Sequence, residues 1–299
     1  MFDEIRNNKI KSWVLAFFFI ILIGFLGGAI GYFYNNIYVG LSLAIIFGII
    51  YSMIAFRSGD KMILSMSGAK PVTKKEYPHL YHTVEGLSVA AGLPAPKAYV
   101  IDDTALNAFA TGRDPKNASI TVTTGLMNKL NRQELEGVIA HEMSHVKNYD
   151  VRFMMLTAVL VGIITLLSDF LLRSFLWGGR HRRSSSSSGG GQAAIILIVV
   201  GLALAILSPL IGEAIKLAIS RKREYMADAN GAALTRYPPG LASALKKISK
   251  DPDPLVDKAN KATAHLFIST PFRKKHGLMV RMFATHPPIH ERIKRLEQM

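Results

Sequence analysis

Two histidines and a glutamate near the middle of the chain have the types and spacing of a zinc hydrolase. His141 and His145 are four residues apart, so on an α-helix both imidazoles lie on one face and can reach a single metal ion. Glu142 follows the first histidine and can hold and deprotonate a metal-bound water. Two neutral nitrogen ligands leave the metal electrophilic, and the adjacent carboxylate is free to act as a base. The motif therefore predicts a hydrolytic site in which Glu142 is the general base.

The residues around this motif predict a well-capped helix to carry it. Asn131 suits an N-cap, and Glu134 stands three residues later, as in a capping box. The apolar positions recur with helical spacing and supply a buried stripe: Leu135, Val138, Ile139 and Val146. The two histidines thus belong to a helix with a defined start.

Glu224 and Asp228 are the candidates for completing the metal site. A catalytic zinc takes three protein ligands and keeps one position for water. The chain has no cysteine, so the third ligand is expected to be a nitrogen or oxygen donor. Glu224 and Asp228 share a helix face, so one can bind metal while the other reaches the far nitrogen of a histidine. The alternative is a solvated acidic pair beside Arg221–Arg223.

The N-terminal part of the chain is predicted to be a transmembrane hairpin, residues 1–56. The chain is 49% hydrophobic with a mean hydropathy of +0.24, and residues 12–56 carry no formal charge. That length accommodates two spans of ~20 residues and a turn, which is expected at Tyr34–Tyr38. A cleaved signal peptide is the alternative, but the first apolar run is too long and a second follows at once.

Two further apolar runs predict a second transmembrane pair in residues 153–215. The runs are Phe153–Ser168 and Ala193–Gly212, and a Ser/Gly-rich loop, residues 178–192, joins them. The alternative is a pair of buried or membrane-skimming helices in place of spans. The expected total is four transmembrane helices.

The distribution of charge predicts which side of the membrane the polar parts face. The net charge is +15, with the excess in two polar blocks, residues 57–152 and 216–299. The first turn has no Lys or Arg, so both blocks are expected in the cytoplasm, although Arg180, Arg182 and Arg183 fall in the loop placed outside. The bilayer accounts for the basic excess, and no basic run interleaved with aromatics indicates nucleic-acid binding.

Residues 57–152 have the pattern of a compact α/β unit. A helix is predicted from Tyr77 to Ala91, and strands are predicted at Lys97–Ile101 and Ser119–Thr123. The short uncharged segment Asn107–Gly112 lies between the strands. From its residues alone, it is expected to be a turn-rich connector.

Taken together, the motifs resemble those of the M48 family of integral-membrane zinc metallopeptidases. They are His141-Glu142-x-x-His145 with Asn148-x-Asp150 after it, Asn107-Ala108-Phe109-Ala110-Thr111-Gly112, Glu224-x-x-x-Asp228, and Thr285-His286-Pro287-Pro288 followed by Arg292. With the hairpin and the later apolar runs, the resemblance covers nearly the whole chain. It implies a mainly helical α+β fold, a gluzincin-like peptidase domain attached to membrane helices.

The resemblance also implies roles for individual residues. Glu224 becomes the third ligand of one Zn²⁺ per chain, and Asp228 orients a zinc-bound histidine. Asn107, Ala108, Phe109 and Ala110 become part of an edge strand that binds extended substrates. His286 resembles a histidine that stabilises the oxyanion, the alternative being a histidine fixed at a Pro-Pro turn. Arg292 braces that region or contacts the substrate, the alternative being an exposed helix arginine.

The expected function is that of a membrane endopeptidase. The resemblance implies stress-related quality control of damaged or misassembled membrane proteins at the cytoplasmic face of the bacterial inner membrane, together with self-cleavage. The alternatives are a CaaX-type prenyl-protein peptidase, which usually has more spans, and a catalytically silent membrane adaptor. A zinc transporter is disfavoured, because the apolar runs contain almost no metal-binding residues.

Overall fold

The computed structural model describes residues 2–164, 221–251, 266–268 and 287–299. The predicted span Ala193–Gly212, the Ser/Gly-rich loop and His286 lie outside the described residues. Within them the fold is α+β and mainly helical, as predicted.

The N-terminal hairpin consists of α1 (Phe2–Phe33) and α2 (Ile37–Met66). The turn falls where the sequence predicts it. Asn35 adopts a left-handed conformation with φ 57°, which asparagine tolerates better than most residues. Asn36 caps α2, since its side-chain oxygen accepts a hydrogen bond of 3.2 Å from the Val39 N–H.

Both helices of the hairpin are long and apolar enough to cross a membrane, and they are the two such helices in the described part of the chain. In α2 only 11% of the most apolar stretch is buried, so this helix is not the core of a soluble domain. The apolar side chains that it leaves exposed include Leu43, Ile46 and Phe47. A surface of this kind requires a lipid or protein cover.

A small sheet supports the peptidase part, with strand order β1-β2-β4-β3 in the described residues. The strands are β1 (Lys70–Pro71), β2 (Lys97–Ile101), β3 (Ala108–Gly112) and β4 (Ala118–Thr123). The central pair β2 and β4 is parallel, and both outer strands are antiparallel to their neighbours. The predicted strands are confirmed, with β4 beginning one residue early.

The expectation of a turn-rich connector at Asn107–Gly112 is wrong, whereas the edge strand implied by the family resemblance is present as β3. All five residues of β3 are buried. Their side chains are uncharged and, apart from Phe109, small, which allows burial on both faces. Strand β4 supplies backbone partners for one edge. A run this short carries too few β-branched residues to indicate a strand by itself.

The helices after the hairpin surround the sheet and position the motif. They are α3 (Pro78–Ala91), α4 (Thr124–Lys129), α5 (Arg132–Lys147), α6 (residues 150–164), α7 (Arg221–Thr235), α8 (Pro238–Ser249) and α9 (Ile289–Leu296). The helix predicted from Tyr77 is confirmed as α3, and Gly92 ends it with φ 68°.

The motif helix α5 begins with the predicted capping box. The Asn131 side chain accepts from the Glu134 N–H at 3.0 Å, and the Glu134 carboxylate accepts from the Asn131 N–H at 2.8 Å. Leu135, Val138 and Ile139 enter the core formed with the sheet, α3 and α8. A second apolar cluster joins α6 to the hairpin.

Candidate active site

The two histidines of α5 and Glu224 of α7 converge at one buried point. All three residues are at most 3% exposed. The Nε2 atoms of His141 and His145 lie 3.3 Å apart. The Glu224 carboxylate approaches both rings, with Oε1 3.5 Å from His145 Nε2 and Oε2 3.7 Å from His141 Nε2. The structure therefore brings together the three residues predicted as ligands.

The spacing of these atoms fits a tetrahedral metal ion. Zinc binds imidazole nitrogen and carboxylate oxygen at ~2.0–2.2 Å, and tetrahedral arms of that length end roughly 3.4 Å apart. The two histidine nitrogens are 3.3 Å apart, and each has one oxygen of the Glu224 carboxylate at 3.5 or 3.7 Å, all near this value. The alternative of a solvated acidic pair at Glu224 and Asp228 is wrong, because both carboxylates are buried.

A glycine allows α7 to reach α5 at this point. A Cβ atom on Gly231 would meet the backbone of His141, 3.0 Å from its nitrogen and 3.2 Å from its Cα. Gly231 lies seven residues, or about two helical turns, beyond Glu224. It therefore lies on nearly the same face of α7 as Glu224, and its lack of a side chain sets the close approach of the two helices.

Asp228 and Arg292 hold the far nitrogen of His141. Asp228 Oδ1 is 3.0 Å from His141 Nδ1. Arg292 donates from Nη2 and Nε to the two oxygens of Asp228, at 2.7 and 2.8 Å. Burial alone would raise the pKa of Asp228, but the charge of Arg292 and hydrogen bonds from His141 and Arg292 lower it to about 2. The exposed-arginine alternative is wrong, because Arg292 is 1% exposed.

Asp150 holds the far nitrogen of His145 in a matching way. Its Oδ2 lies 3.0 Å from His145 Nδ1, and Arg223 Nη1 lies 3.3 Å from its Oδ1. Sequence reasoning assigned no role to either Asp150 or Arg223. Asp150 reaches His145 through the turn after α5, where Tyr149 has φ 60°. The available signal was the Asn148-x-Asp150 pair directly after the motif.

The electrostatic balance of the site favours a divalent cation. Burial lowers the pKa of His145, but the hydrogen bond with Asp150 and the nearby carboxylate charges raise it, to about 9. Buried acidic side chains outnumber buried arginines by two around the histidines. The set comprises four carboxylates and two guanidinium groups: Glu142, Asp150, Glu224, Asp228, Arg223 and Arg292.

Glu142 lies beside the ligands, as expected of a base. It is 2% exposed, and its charge contributes to the raised pKa of His145. Burial lowers the pKa of Arg292, while the charges of Asp228, Glu224 and Glu142 raise it on balance. The carboxylate of Glu142 is therefore close enough to act electrostatically on His145 and on Arg292, which supports His141 through Asp228.

Strand β3 presents one backbone edge away from β4. The Thr123 N–H donates to the Asn107 carbonyl, and alternation along an antiparallel pair then turns Ala108 and Ala110 to the other edge. At that edge the Ala108 carbonyl accepts a hydrogen bond of 2.9 Å from the Ile268 N–H. Phe109 packs edge-on against Phe267 at 5.0 Å. Among the described residues, Ala110 has no backbone partner at this edge.

Comparison with known proteins agrees with this geometry. The model of peptidase family M48 matches residues 74–299. A protease HtpX homolog of Dictyoglomus thermophilum is 47% identical over 100% of this chain and 94% of its own length. Another, from Thermoanaerobacter pseudethanolicus, is 48% identical over 99% of this chain and 97% of its own.

A solved structure shares the fold. The crystal structure of S. mikatae Ste24p matches 99% of this chain and 67% of its own, with a TM-score of 0.50 and 22% identity. The family match and the full-length relatives agree with the motifs and with the buried ligand cluster. The chain therefore belongs to peptidase family M48 and is a membrane-bound metalloprotease.

Proposed function

We propose that this protein is a zinc endopeptidase of the bacterial cytoplasmic membrane, which cleaves damaged or misassembled membrane proteins on the cytoplasmic side during stress. The observation that carries the proposal is the convergence of His141, His145 and Glu224 at ligand spacing, with Glu142 beside them. The membrane-length hairpin supports a position of this site close to a bilayer.

The donor set supports zinc, with one ion per chain. Two imidazoles and one carboxylate form a common three-residue set for catalytic zinc, and they leave a position for water. The excess of buried acidic over buried basic side chains around the histidines suits a divalent cation. His141, His145 and Glu224 are the proposed ligands.

Each side chain around the site has a definite task in peptide hydrolysis. When bound, zinc lowers the pKa of a coordinated water to about 7 and polarises the scissile carbonyl. Glu142 accepts the proton of the attacking water and delivers it to the leaving amine. Asp228 and Asp150 hold the Nδ1 atoms, so both rings present Nε2 to the ion.

Arg292 and His286 are proposed to have different roles. Arg292 is buried against Asp228, which supports bracing and not contact with substrate. His286 is proposed to stabilise the oxyanion on the family resemblance, and it lies outside the described residues.

Substrates are proposed to bind as an added strand at the outer edge of β3. The outward backbone groups of Ala110, which have no partner within the described ranges, are suited to pairing with an extended peptide. Backbone pairing requires no particular side chains, which suits a protease that accepts many damaged proteins. Asn107, Ala108 and Phe109 shape this edge, where Ile268 already bonds to the Ala108 carbonyl. Self-cleavage of the protein's own extended segments follows from the same tolerance.

Four spans and a cytoplasmic peptidase part complete the proposal. The proposed parts are residues 1–56 and 153–215 in the membrane, with 57–152 and 216–299 folded together in the cytoplasm. The contact between α5 and α7 supports the last point, because it joins the two polar blocks across the site. The uncharged turn at Tyr34–Tyr38 supports the orientation.

Digestion of an unfolded membrane protein by full-length enzyme in detergent with zinc tests the function. Glu142→Gln should lower cleavage by at least about 100-fold, the usual contribution of a general base, and should keep its zinc. Glu136→Gln, on the same helix and paired with Arg132, is the matched control. Full activity of Glu142→Gln would overturn the base assignment. A prenylated peptide as sole accepted substrate would favour the CaaX-type alternative.

A further inference from the structure

Asn8, in the first helix, is bonded into the buried network beneath the metal site. It is 1% exposed. Its Nδ2 donates to the Asn148 carbonyl at 2.9 Å and to Asp150 Oδ1 at 2.7 Å, and its Oδ1 accepts from Arg223 Nη1 at 3.2 Å. Both N–H groups and the oxygen of the amide are therefore used, and reversing the amide would set like groups against each other.

These bonds bear on the carboxylate that orients His145. Asn8 and Arg223 both bind Oδ1 of Asp150, which leaves Oδ2 for His145 Nδ1 at 3.0 Å. A carboxylate fixed at one oxygen can hold a ring at the other with little freedom to rotate. His145 Nε2, on the opposite side of that ring, faces Glu224 at 3.5 Å.

The first helix also grips the turn that presents Asp150. Tyr149 has φ 60°, a conformation that a bulky residue rarely adopts without support. Asn8 bonds to the carbonyl just before it, and the Lys9 ammonium lies 4.6 Å from the centre of the Tyr149 ring. Neighbouring residues of α1 therefore hold both sides of this strained turn.

We propose that Asn8 is a positioning residue of the metal site, through which the N-terminal membrane helix sets the orientation of Asp150 and His145. The inference rests on the proposed zinc function and adds a requirement to it, since metal affinity then depends on α1 being seated against the turn. A buried asparagine is costly unless its bonds serve the fold or the site. Here every hydrogen bond of the Asn8 side chain is made to Asp150, to Arg223 or to the Asn148 carbonyl in the turn before Asp150.

The test is the zinc affinity of the full-length protein, measured by competition with a chelator. Asn8→Ala should weaken zinc binding roughly 10-fold, the lower end of the range for outer hydrogen-bond partners of a ligand. Asn7→Ala is the matched control, because Asn7 is adjacent on α1 and exposed. Added zinc should restore most of the cleavage by Asn8→Ala, which a merely structural defect would not allow.

A double-substitution cycle separates the proposed route from others. In an Asp150→Ala background, Asn8→Ala should change zinc affinity less than 2-fold, because its target is gone. If Asn8→Ala does not fold, Asn8→Ser carries the same predictions, since serine keeps a small polar group that is too short to reach Asp150.

Equal zinc affinity in Asn8→Ala and Asn7→Ala would overturn the inference, as would a full additional loss in the Asp150→Ala background. These results would leave the proposed function intact as long as the wild type binds zinc and cleaves. Failure of the wild type to bind zinc would overturn the function and the inference together.

Discussion

Removing the guanidinium of Arg292 is expected to destabilise the protein strongly, because it strands a buried carboxylate. Arg292→Met keeps most of the side-chain volume but removes both hydrogen bonds to Asp228, which measure 2.7 and 2.8 Å. Breaking a buried ion pair in this way costs about 3–5 kcal/mol. His141 still bonds to Asp228 at 3.0 Å, so the lower end of that range is expected.

The expected loss can be measured as a shift in the midpoint of thermal unfolding in detergent. About 3 kcal/mol corresponds to a decrease of roughly 6–12 °C for a domain of 150–250 residues. Arg295→Met is the control on the same helix, since Arg295 is exposed and stacks on Tyr225 at 3.7 Å. That contact is worth about 1 kcal/mol or less.

A second substitution tests whether the cause is the stranded charge. Adding Asp228→Asn to Arg292→Met removes both charges, so the double variant should lose less stability than the sum of the two single variants. The reasoning is refuted if Arg292→Met melts within 1–2 °C of Arg295→Met, a difference of roughly 1 kcal/mol or less.

Three further predictions concern helix approach, capping and topology. Gly231→Ala should weaken zinc binding by pushing α7 away from α5, since the new Cβ would lie 3.0 Å from the backbone nitrogen of His141. The control Gly86→Ala should bind zinc normally, because its added Cβ meets nothing within 4 Å. Equal zinc affinities of the two variants would contradict the prediction. Glu134→Ala should cost about 2 kcal/mol of unfolding free energy at neutral pH, because it removes the capping box and the Lys247 ion pair. Burial raises the pKa of Glu134, but hydrogen bonds from Lys247, Ser243 and Asn131 lower it on balance. The stabilisation by Glu134 is therefore present above pH ~4.5 and should be lost as the pH falls through the lowered pKa of the folded state. A difference in stability between Glu134→Ala and wild type that stays constant down to pH 3 would contradict the assignment. Because the chain has no cysteine, single cysteines introduced at the exposed positions Asn35 and Lys75 report the membrane topology. An impermeant thiol reagent added to intact cells should label Asn35→Cys and spare Lys75→Cys. The reverse labelling pattern would contradict the proposed orientation.

The parts of the site that lie on one element could be predicted from sequence. His141, Glu142 and His145 depend only on helical spacing, and the Asn131–Glu134 capping box is equally local. Glu224 lies 79 residues beyond His145, and its own neighbourhood favoured a solvated pair. The family resemblance, not the local pattern, selected it as a ligand.

Residues that act through tertiary contacts were the ones that sequence reasoning missed or left open. Asp150, Arg223 and Asn8 meet only when α1, α7 and the turn after α5 pack together, and none has a periodic signature. Arg292 reads as one basic residue in a basic helix until its burial is known. Strand β3 depends on pairing with β4 and has weak strand propensity of its own.

X-ray absorption at the zinc edge, combined with metal content, tests the central claim most directly. The wild type should hold one zinc per chain, with nitrogen and oxygen ligands at ~2.0–2.1 Å and scattering from two imidazoles. Glu224→Ala should lose an oxygen ligand and most of its zinc, whereas Glu85→Ala, about half exposed and remote in sequence, should match the wild type. An unchanged zinc content and ligand shell in Glu224→Ala would contradict the proposed site.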